Sequence, residues 1–147
     1  MTVTKYRTQL VREYDAEYKT RRAATSPAVV AGLLNEMFNA SDRCEEHVWQ
    51  LCLDTKMKVV AVFENSAGGL TSSICDPATV ARNALLSNAY GVILAHNHPS
   101  GDPSPSNDDI QITKRISAGL TLLGLQLVDH VIIGDGLTAS LKELGYM

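Results

Sequence analysis

A continuous apolar run, residues 91–95 (GVILA), leads directly into His96-Asn97-His98-Pro99. An apolar run of this length is typical of a strand that is buried on both faces of a sheet. The three prolines and the glycine between positions 99 and 105 then predict a loop. A second apolar segment, residues 125–134 (LQLVDHVIIG), predicts another buried strand. The chain must therefore build a sheet that helices cover.

Helix and strand patterns alternate along the rest of the chain. Ser26-Pro27, Asp76-Pro77 and Ser106 are typical helix starts, because a capping side chain or proline suits the first turn. Leu85 and Leu123 lie in the apolar patterns of the second and third helices. The predicted elements in chain order are a helix from 26, hairpin strands 48–54 and 58–64, a strand 70–75, a helix from 76, a strand 91–95, a helix 106–123, a strand 125–134 and a short tail. This order predicts an α/β (α+β) fold with a helix-covered mixed sheet.

The length of 147 residues, with 45% apolar and 20% charged residues, fits one globular domain. No apolar run approaches the ~20 residues that span a bilayer, and the first twenty residues are polar where a signal peptide is apolar. These features predict a cytoplasmic protein without a membrane partner.

The three cysteines, Cys44, Cys52 and Cys75, lack the spacing of a disulfide framework or a metal knuckle. They are expected to be small buried residues.

Charge is distributed unevenly along the chain. Residues 1–22 carry six basic and three acidic side chains, a net +3, which leaves −6 for the remainder of a chain whose total is −3. The acidic remainder argues against a general nucleic-acid-binding surface. We therefore predict an N-terminal arm, residues 1–25, and one domain, residues 26–147. Tyr6, Tyr14 and Tyr18 favour contact of the arm with the body or with a second copy of the chain in a homo-oligomer.

His96 and His98 are two residues apart at the end of a buried strand. Residues i and i+2 of an extended chain project from the same face, so the two imidazoles are expected to lie side by side. Buried histidines need hydrogen-bond partners, and a core seldom places such a pair at the mouth of a strand. The pair suggests a metal site. A catalytic zinc site would need a third protein ligand.

Asp109 is the candidate for that third ligand. Its helical phase matches Ile112 and Ile116, so its carboxylate should point inward, whereas Asp108 falls on the outer face. An ionised carboxylate is costly to bury unless it is paired or bound to a cation. The spacing of Ser106 and Asp109 also fits a capping box at a helix start, which needs no metal. Both interpretations explain Asp109, but only the metal explains the two histidines.

These residues resemble a known motif. His96-x-His98, ten residues and then Asp109, with Ser106 three residues before the aspartate, resembles the JAMM motif of the JAB/MPN metalloprotease superfamily. The longer string at 95–109 (AHNHPSGDPSPSNDD), with LVDHVIIG and SLKELGY further on, resembles the RadC family in particular. The resemblance covers roughly residues 26–147. It implies the layered JAB/MPN fold, which is similar to that of the cytidine deaminases.

The resemblance also implies roles for individual residues. In that superfamily the two histidines and the aspartate hold Zn²⁺, which here implies His96, His98 and Asp109. An upstream glutamate acts on water, and this implies Glu46 rather than its neighbour Glu45. The serine stabilises the oxyanion, a role that falls to Ser106. Paired Asp129 and His130, in the last predicted strand, are expected to support the site from behind its ligands, and His47 is expected to be a surface or packing residue.

The sequence departs from the RadC pattern in three places. Full-length RadC proteins carry a helix-hairpin-helix-like segment ahead of this domain, and residues 1–25 have no room for one, which predicts a short form. Asp76-Pro77 is followed by Ala78-Thr79, where the family usually has an arginine and an acid. Gly68-Gly69 stands where glycine is usually followed by a hydroxyl residue.

Three functions follow as hypotheses. The first is a zinc-dependent metallohydrolase that cleaves amide bonds of a peptide or protein substrate. The second is a DNA-repair-associated accessory protein, for which the acidic body gives no electrostatic support. The third is an interaction module that keeps its metal only for stability. Zinc deaminases are disfavoured because their His-x-Glu and Pro-Cys-x-x-Cys motifs are absent.

Overall fold

A computed structural model describes residues 1, 3–5, 7–15, 17, 23–24, 26–68 and 75–147. Within these residues the helices and strands are, in order, α1 (Pro27–Phe38), a 3₁₀ turn (Ala40–Asp42), β1 (His47–Leu53), β2 (Val59–Ala67), α2 (Pro77–Leu86), β3 (Gly91–Asn97), α3 (Asn107–Leu122), β4 (Gln126–Ile133) and β5 (Thr138–Ser140). All three predicted helix starts are confirmed, because Ser26, Asp76 and Ser106 each accept a hydrogen bond as N-cap residues.

The five strands form one mixed sheet in the order β2-β1-β3-β4-β5. β1 and β2 are the predicted antiparallel hairpin, and β1 also pairs antiparallel with β3. β3 and β4 are parallel, since helix α3 carries the chain from the end of one strand back to the start of the next. The predicted α+β fold with a helix-covered mixed sheet is confirmed.

Helices cover both faces of this sheet. Side chains of α1 pack with Trp49, Leu51 and Ile93 on one face. Side chains of α2 and α3 pack with Val92 and Leu94 on the other. Alternate residues of the central strands serve opposite faces, which is why β3 is buried along its whole length. We refer to the second face as the α2/α3 face.

Two leucines of the apolar helix patterns are not buried. Leu85 is 55% exposed and Leu123 is 50% exposed. Leu85 lies beside the buried Ala84 on a helix that buries only a narrow stripe, and Leu123 is the residue at which α3 ends. Cys44 is also exposed, because it precedes β1 outside the sheet, whereas Cys52 and Cys75 are buried as expected.

The C-terminal end of the chain differs from the prediction. The expected C-terminal tail includes β5, a three-residue strand that pairs with β4. Three residues give too short a pattern for sequence periodicity to reveal. The predicted strand 70–75 lies outside the described residues except for Cys75.

Ala24, near the end of the N-terminal arm, is buried and donates its backbone N–H to the Met57 carbonyl at 3.1 Å. The described residues between positions 1 and 17 are exposed and form no helix or strand. Tyr14 is among them, whereas Tyr6 and Tyr18 lie outside the described residues. Contact of the arm with a second copy of the chain stays a prediction. Among the described helices, none has the length and apolar character needed to cross a bilayer.

The loop after β3 packs against the chain that leaves β4. His98 donates its backbone N–H to the carbonyl of Ile133 at 2.9 Å, and Asp135 donates its own to the carbonyl of Gly101 at 3.0 Å. A Cβ atom at Gly134 would lie 2.3 Å from the Gly101 carbonyl oxygen. Glycine at position 134 therefore lets the loop close onto β4, and this contact holds the backbone of His98 in place.

Substituting Gly134 by alanine should lower the free energy of unfolding by about 1–3 kcal/mol, because the new methyl group would overlap a backbone atom. Urea denaturation measures the change. Gly32→Ala is the matched control, since a Cβ there meets nothing within 4 Å and the residue lies within α1. Alanine favours a helix interior, so this control should be neutral or slightly stabilising. Equal stability of Gly134→Ala and the wild type would contradict the close packing of this loop.

Candidate metal centre

Four side chains converge where β3 leaves the sheet. His96 and His98 lie at the end of β3, Asp109 lies in the first turn of α3, and Glu46 immediately precedes β1. Val48 of β1 pairs with His96 of β3. Continuing this antiparallel register by two residues places Glu46 opposite His98. Sheet register thus brings together residues that are about fifty positions apart in the chain.

One ligand atom from each of these four residues lies within 4.8 Å of the other three. The Nε2 atoms of His96 and His98 are 2.9 Å apart. The Asp109 carboxylate oxygens lie 3.4 Å and 3.5 Å from these two nitrogens, and Glu46 Oε1 lies 3.9 Å from His96 Nε2. The structure therefore brings together the three predicted ligands and the predicted glutamate. We call these four residues the metal cluster.

The donor atoms of the metal cluster suit a cation. His98 Nδ1 donates to the carbonyl oxygen of Asp102 at 2.7 Å, so the neutral ring carries a lone pair on Nε2. This lone pair faces His96 Nε2 and the Asp109 carboxylate. Acceptor atoms that converge in this way are stabilised by a proton or a metal ion. Two imidazoles and one carboxylate, with a second carboxylate nearby, are a donor set that zinc accepts.

Burial and neighbouring charges shift the pKa values of both histidines. Burial lowers the pKa of His96 and favours its neutral form, which is the form that binds metals. The hydrogen bond with Asp109 raises the pKa of His98. A proton and a metal ion would therefore compete for His98 Nε2.

Asp109 takes part in the helix cap and also faces the two histidines. Ser106 and Asp109 form the capping box, in which Ser106 Oγ accepts the Asp109 N–H at 3.1 Å and Asp109 Oδ2 accepts the Ser106 N–H at 2.7 Å. The same carboxylate faces both histidines and is only 2% exposed. Burial alone would raise the pKa of Asp109, but the His96 and His98 rings, whose protonated forms can donate to its carboxylate, lower this pKa well below the ordinary value. The helix cap thus orients an ionised carboxylate toward the metal cluster.

Glu46 lies on the open side of the metal cluster. Its side chain is 27% exposed, and the neighbouring Glu45 is exposed and lies outside the cluster. Asn97 lies between the two histidines in the chain, and its side chain is buried. This side chain holds the segment that carries Glu46. Its Oδ1 accepts the backbone N–H of His47 at 2.8 Å, and its Nδ2 donates to the carbonyl of Glu45 at 3.0 Å. No sequence motif singles out Asn97, although strand alternation places its side chain on the face opposite the histidines.

Asp129 and His130 do not act as a pair. The His130 ring lies on the α2/α3 face, where its Nε2 is 2.9 Å from His96 Nδ1. The Asp129 carboxylate instead accepts hydrogen bonds from the Ser140 hydroxyl and from the backbone N–H groups of His130 and Lys142. Only His130 contacts a residue of the metal cluster.

His47 packs away from the cluster, as expected. Its ring stacks on Trp49, with centroids 5.6 Å apart, and Nδ1 lies 2.7 Å from Glu64 Oε1. A metal-ligating role for His47 has no support in this geometry, since His47 does not belong to the cluster found among the described residues.

Residues 24–146 match the family model of the RadC-like JAB domain. The chain belongs to this family. The RadC resemblance that the sequence indicated is thus confirmed over nearly the whole chain.

Curated relatives support the same assignment. A UPF0758 protein of Clostridium acetobutylicum is 44% identical over 123 residues, which are 84% of this chain and 53% of the relative. One of Desulfitobacterium hafniense is 40% identical over 136 residues, 92% of this chain and 59% of the relative. One of Methanococcoides burtonii is 47% identical over 103 residues, 70% of this chain and 45% of the relative. The chain spans about half the length of the curated relatives it matches. Their names state no activity.

Proposed function

We propose that this RadC-like JAB domain is a zinc-dependent hydrolase that cleaves amide bonds in peptide or protein substrates. The observation that carries the proposal is the convergence of His96, His98, Asp109 and Glu46 within 4.8 Å at the end of β3. Membership of the JAB superfamily, which includes metalloproteases, supports the same class of reaction. His96, His98 and Asp109 would hold the ion, because they supply the most buried donor atoms of the cluster.

Zinc in a site with three protein ligands lowers the pKa of water from 15.7 to about 7 and polarises a carbonyl oxygen. Glu46 would serve as general base, and its position beside the proposed ligands and its partial exposure support this role. It would accept a proton from the attacking water and donate that proton to the leaving amine nitrogen as the C–N bond breaks. The products would be a carboxylic acid and an amine.

Ser106 would stabilise the negative charge that develops on the substrate oxygen. It is exposed at the N-terminus of α3, and its hydroxyl oxygen accepts the Asp109 N–H, so the hydroxyl proton is available for a substrate. The N-terminal end of a helix also favours negative charge. A hydrogen-bond donor directed at a developing oxyanion is an effective form of catalysis.

The experiment combines metal analysis with cleavage of a peptide library. The wild-type protein should bind one zinc ion per chain and cleave a subset of the peptides. Glu46→Gln should keep its zinc and its fold but lose roughly 10²- to 10⁴-fold in kcat, the usual contribution of a general base. The matched control is Glu45→Gln, which removes the neighbouring exposed carboxylate and should cleave at the wild-type rate.

Two outcomes would overturn the proposal. One is a properly folded wild-type protein that binds no zinc. The other is a Glu46→Gln variant that cleaves as fast as the wild type. Retained zinc without cleavage of any peptide or isopeptide would instead favour a module in which the metal only stabilises the fold.

A further inference from the structure

His130 links the metal cluster to helix α3 through the protein core. Its ring is fully buried on the α2/α3 face of β4. Nε2 lies 2.9 Å from His96 Nδ1, and Nδ1 lies 2.6 Å from the Thr113 hydroxyl oxygen. Thr113 is one helical turn after Asp109 and is also fully buried. Neither His130 nor Thr113 has a part in the hydrolysis proposed above.

The proton positions in this link follow from what each atom can donate. The Thr113 hydroxyl approaches the backbone carbonyl of Asp109, which can only accept, so the hydroxyl donates its one proton there. The same hydroxyl oxygen must then accept from the second neighbour. His130 Nδ1 therefore carries a proton and donates it to Thr113.

This arrangement fixes the next two nitrogen atoms. A neutral His130 with its proton on Nδ1 presents a lone pair on Nε2. His96 Nδ1 lies at hydrogen-bond distance from that lone pair, so it must be the donor. The lone pair of His96 is thereby left on Nε2, the atom that faces Glu46, His98 and Asp109.

We propose that His130 and Thr113 are positioning residues that hold His96 as an Nε2 metal ligand. The inference rests on the metal cluster of the proposed function. The chain of hydrogen bonds starts at the Asp109 backbone, passes through Thr113 and His130, and ends at His96. It therefore fixes the tautomer of His96. It also fixes the position of His96 relative to Asp109, because Asp109 supplies both the carbonyl at which the chain of hydrogen bonds starts and a carboxylate of the metal cluster. A metal-ligating histidine commonly needs such a partner at its other ring nitrogen.

The tautomers are measured directly by ¹⁵N NMR of the imidazole rings in the full metal-free chain at a pH where the rings are neutral. We expect His96 and His130 both to carry their proton on Nδ1. A His96 ring that carries its proton on Nε2 in the wild-type protein would overturn the proposal. This measurement requires no variant and no substrate.

Variants of Thr113 test the effect on metal binding without altering any ligand. Thr113→Val keeps the shape of the side chain but removes the acceptor for His130 Nδ1–H. We expect zinc affinity, measured by competition with a chromophoric chelator, to fall about 10- to 100-fold, and the His96 tautomer signal to change. Thr113→Ser keeps the hydroxyl and should retain both the wild-type affinity and the wild-type tautomer.

Variants of His130 supply a second comparison. In His130→Gln, an amide oxygen can replace Nε2 as acceptor for His96, whereas His130→Leu provides no acceptor. Zinc affinity should therefore follow the order wild type, Gln variant, Leu variant. Folded Thr113→Val and His130→Leu proteins with wild-type zinc affinity and an unchanged His96 tautomer would refute the positioning role.

The failure of this inference is distinguishable from failure of the proposed hydrolase. If the wild-type chain binds zinc but cleaves nothing, the affinity order still decides whether His130 and Thr113 position His96. If the wild-type chain binds no zinc, the hydrolase proposal fails, and the tautomer of His96 in the metal-free protein decides the inference. If the variants do not fold, the tautomers of the wild type decide it as well.

Discussion

Asp109→Asn is expected to abolish stoichiometric zinc binding while helix α3 remains formed. The asparagine amide oxygen can still accept the Ser106 N–H, which Asp109 Oδ2 accepts at 2.7 Å. The substitution removes the negative charge, however, and replaces one of the two oxygens that face His96 and His98 with an NH₂ group, which cannot coordinate a metal. The loss of zinc affinity should exceed the roughly 10- to 100-fold that follows loss of a partner outside the ligand shell.

Metal analysis after dialysis and calorimetric titration with zinc measure this effect. Asp108→Asn is the matched control, because Asp108 lies in the same helical turn, is exposed, and does not belong to the metal cluster. The control should retain one zinc ion per chain. An Asp109→Asn protein that binds zinc as tightly as the wild type would remove Asp109 from the ligand set. Circular dichroism of both variants checks that the helix is intact.

Ser106 is expected to contribute both to stability and to turnover. Ser106→Ala removes the acceptor for the Asp109 N–H, so the free energy of unfolding should fall by about 0.5–2 kcal/mol, as for other lost N-caps. If the hydroxyl also donates to the substrate oxygen, kcat should fall on the order of 10²-fold. Urea denaturation and initial rates on a peptide from the library separate the two effects.

Ser106→Asp distinguishes a cap from a catalytic donor. Aspartate is a good N-cap residue, so the variant should be as stable as the wild type. Its carboxylate would add negative charge where the substrate oxyanion forms, and turnover should therefore be severely reduced. A stable Ser106→Asp protein with normal zinc content and unimpaired hydrolysis would show that Ser106 acts only as a cap.

Local periodicity explains which parts of the metal cluster the sequence could predict. The helical period placed Asp109 on the inward face of α3 with Ile112, and the structure buries both. Strand alternation placed His96 and His98 side by side, and their rings meet. Each of these predictions needed only the geometry of one element. The same rules overestimated the burial of Leu85, because a short helix can bury a stripe narrower than its apolar pattern.

The position of Glu46 relative to the histidines could not be predicted from strand alternation. Alternation at the start of β1 required only that Glu45 and Glu46 point to different sides, and it could not say which side holds the histidines. The pairing of Val48 with His96 decides the matter, because Glu46 is two residues from Val48 and shares its side of the sheet. That pairing joins segments that are far apart in the chain, so no local pattern contains it.

The three helices, the strands β1 to β4, the inward face of Asp109, the adjacent histidines and the family all follow from the sequence alone. These depend on periods of two and 3.6 residues and on a motif of consecutive residues. Two further features are visible only in the three-dimensional fold. Asn97 holds the segment of Glu46, and the His130 ring contacts His96 while the Asp129 carboxylate accepts hydrogen bonds elsewhere. These contacts depend on strand register and on the packing of α3 against β4, which are set by the whole sheet and not by the neighbours of each residue in the chain.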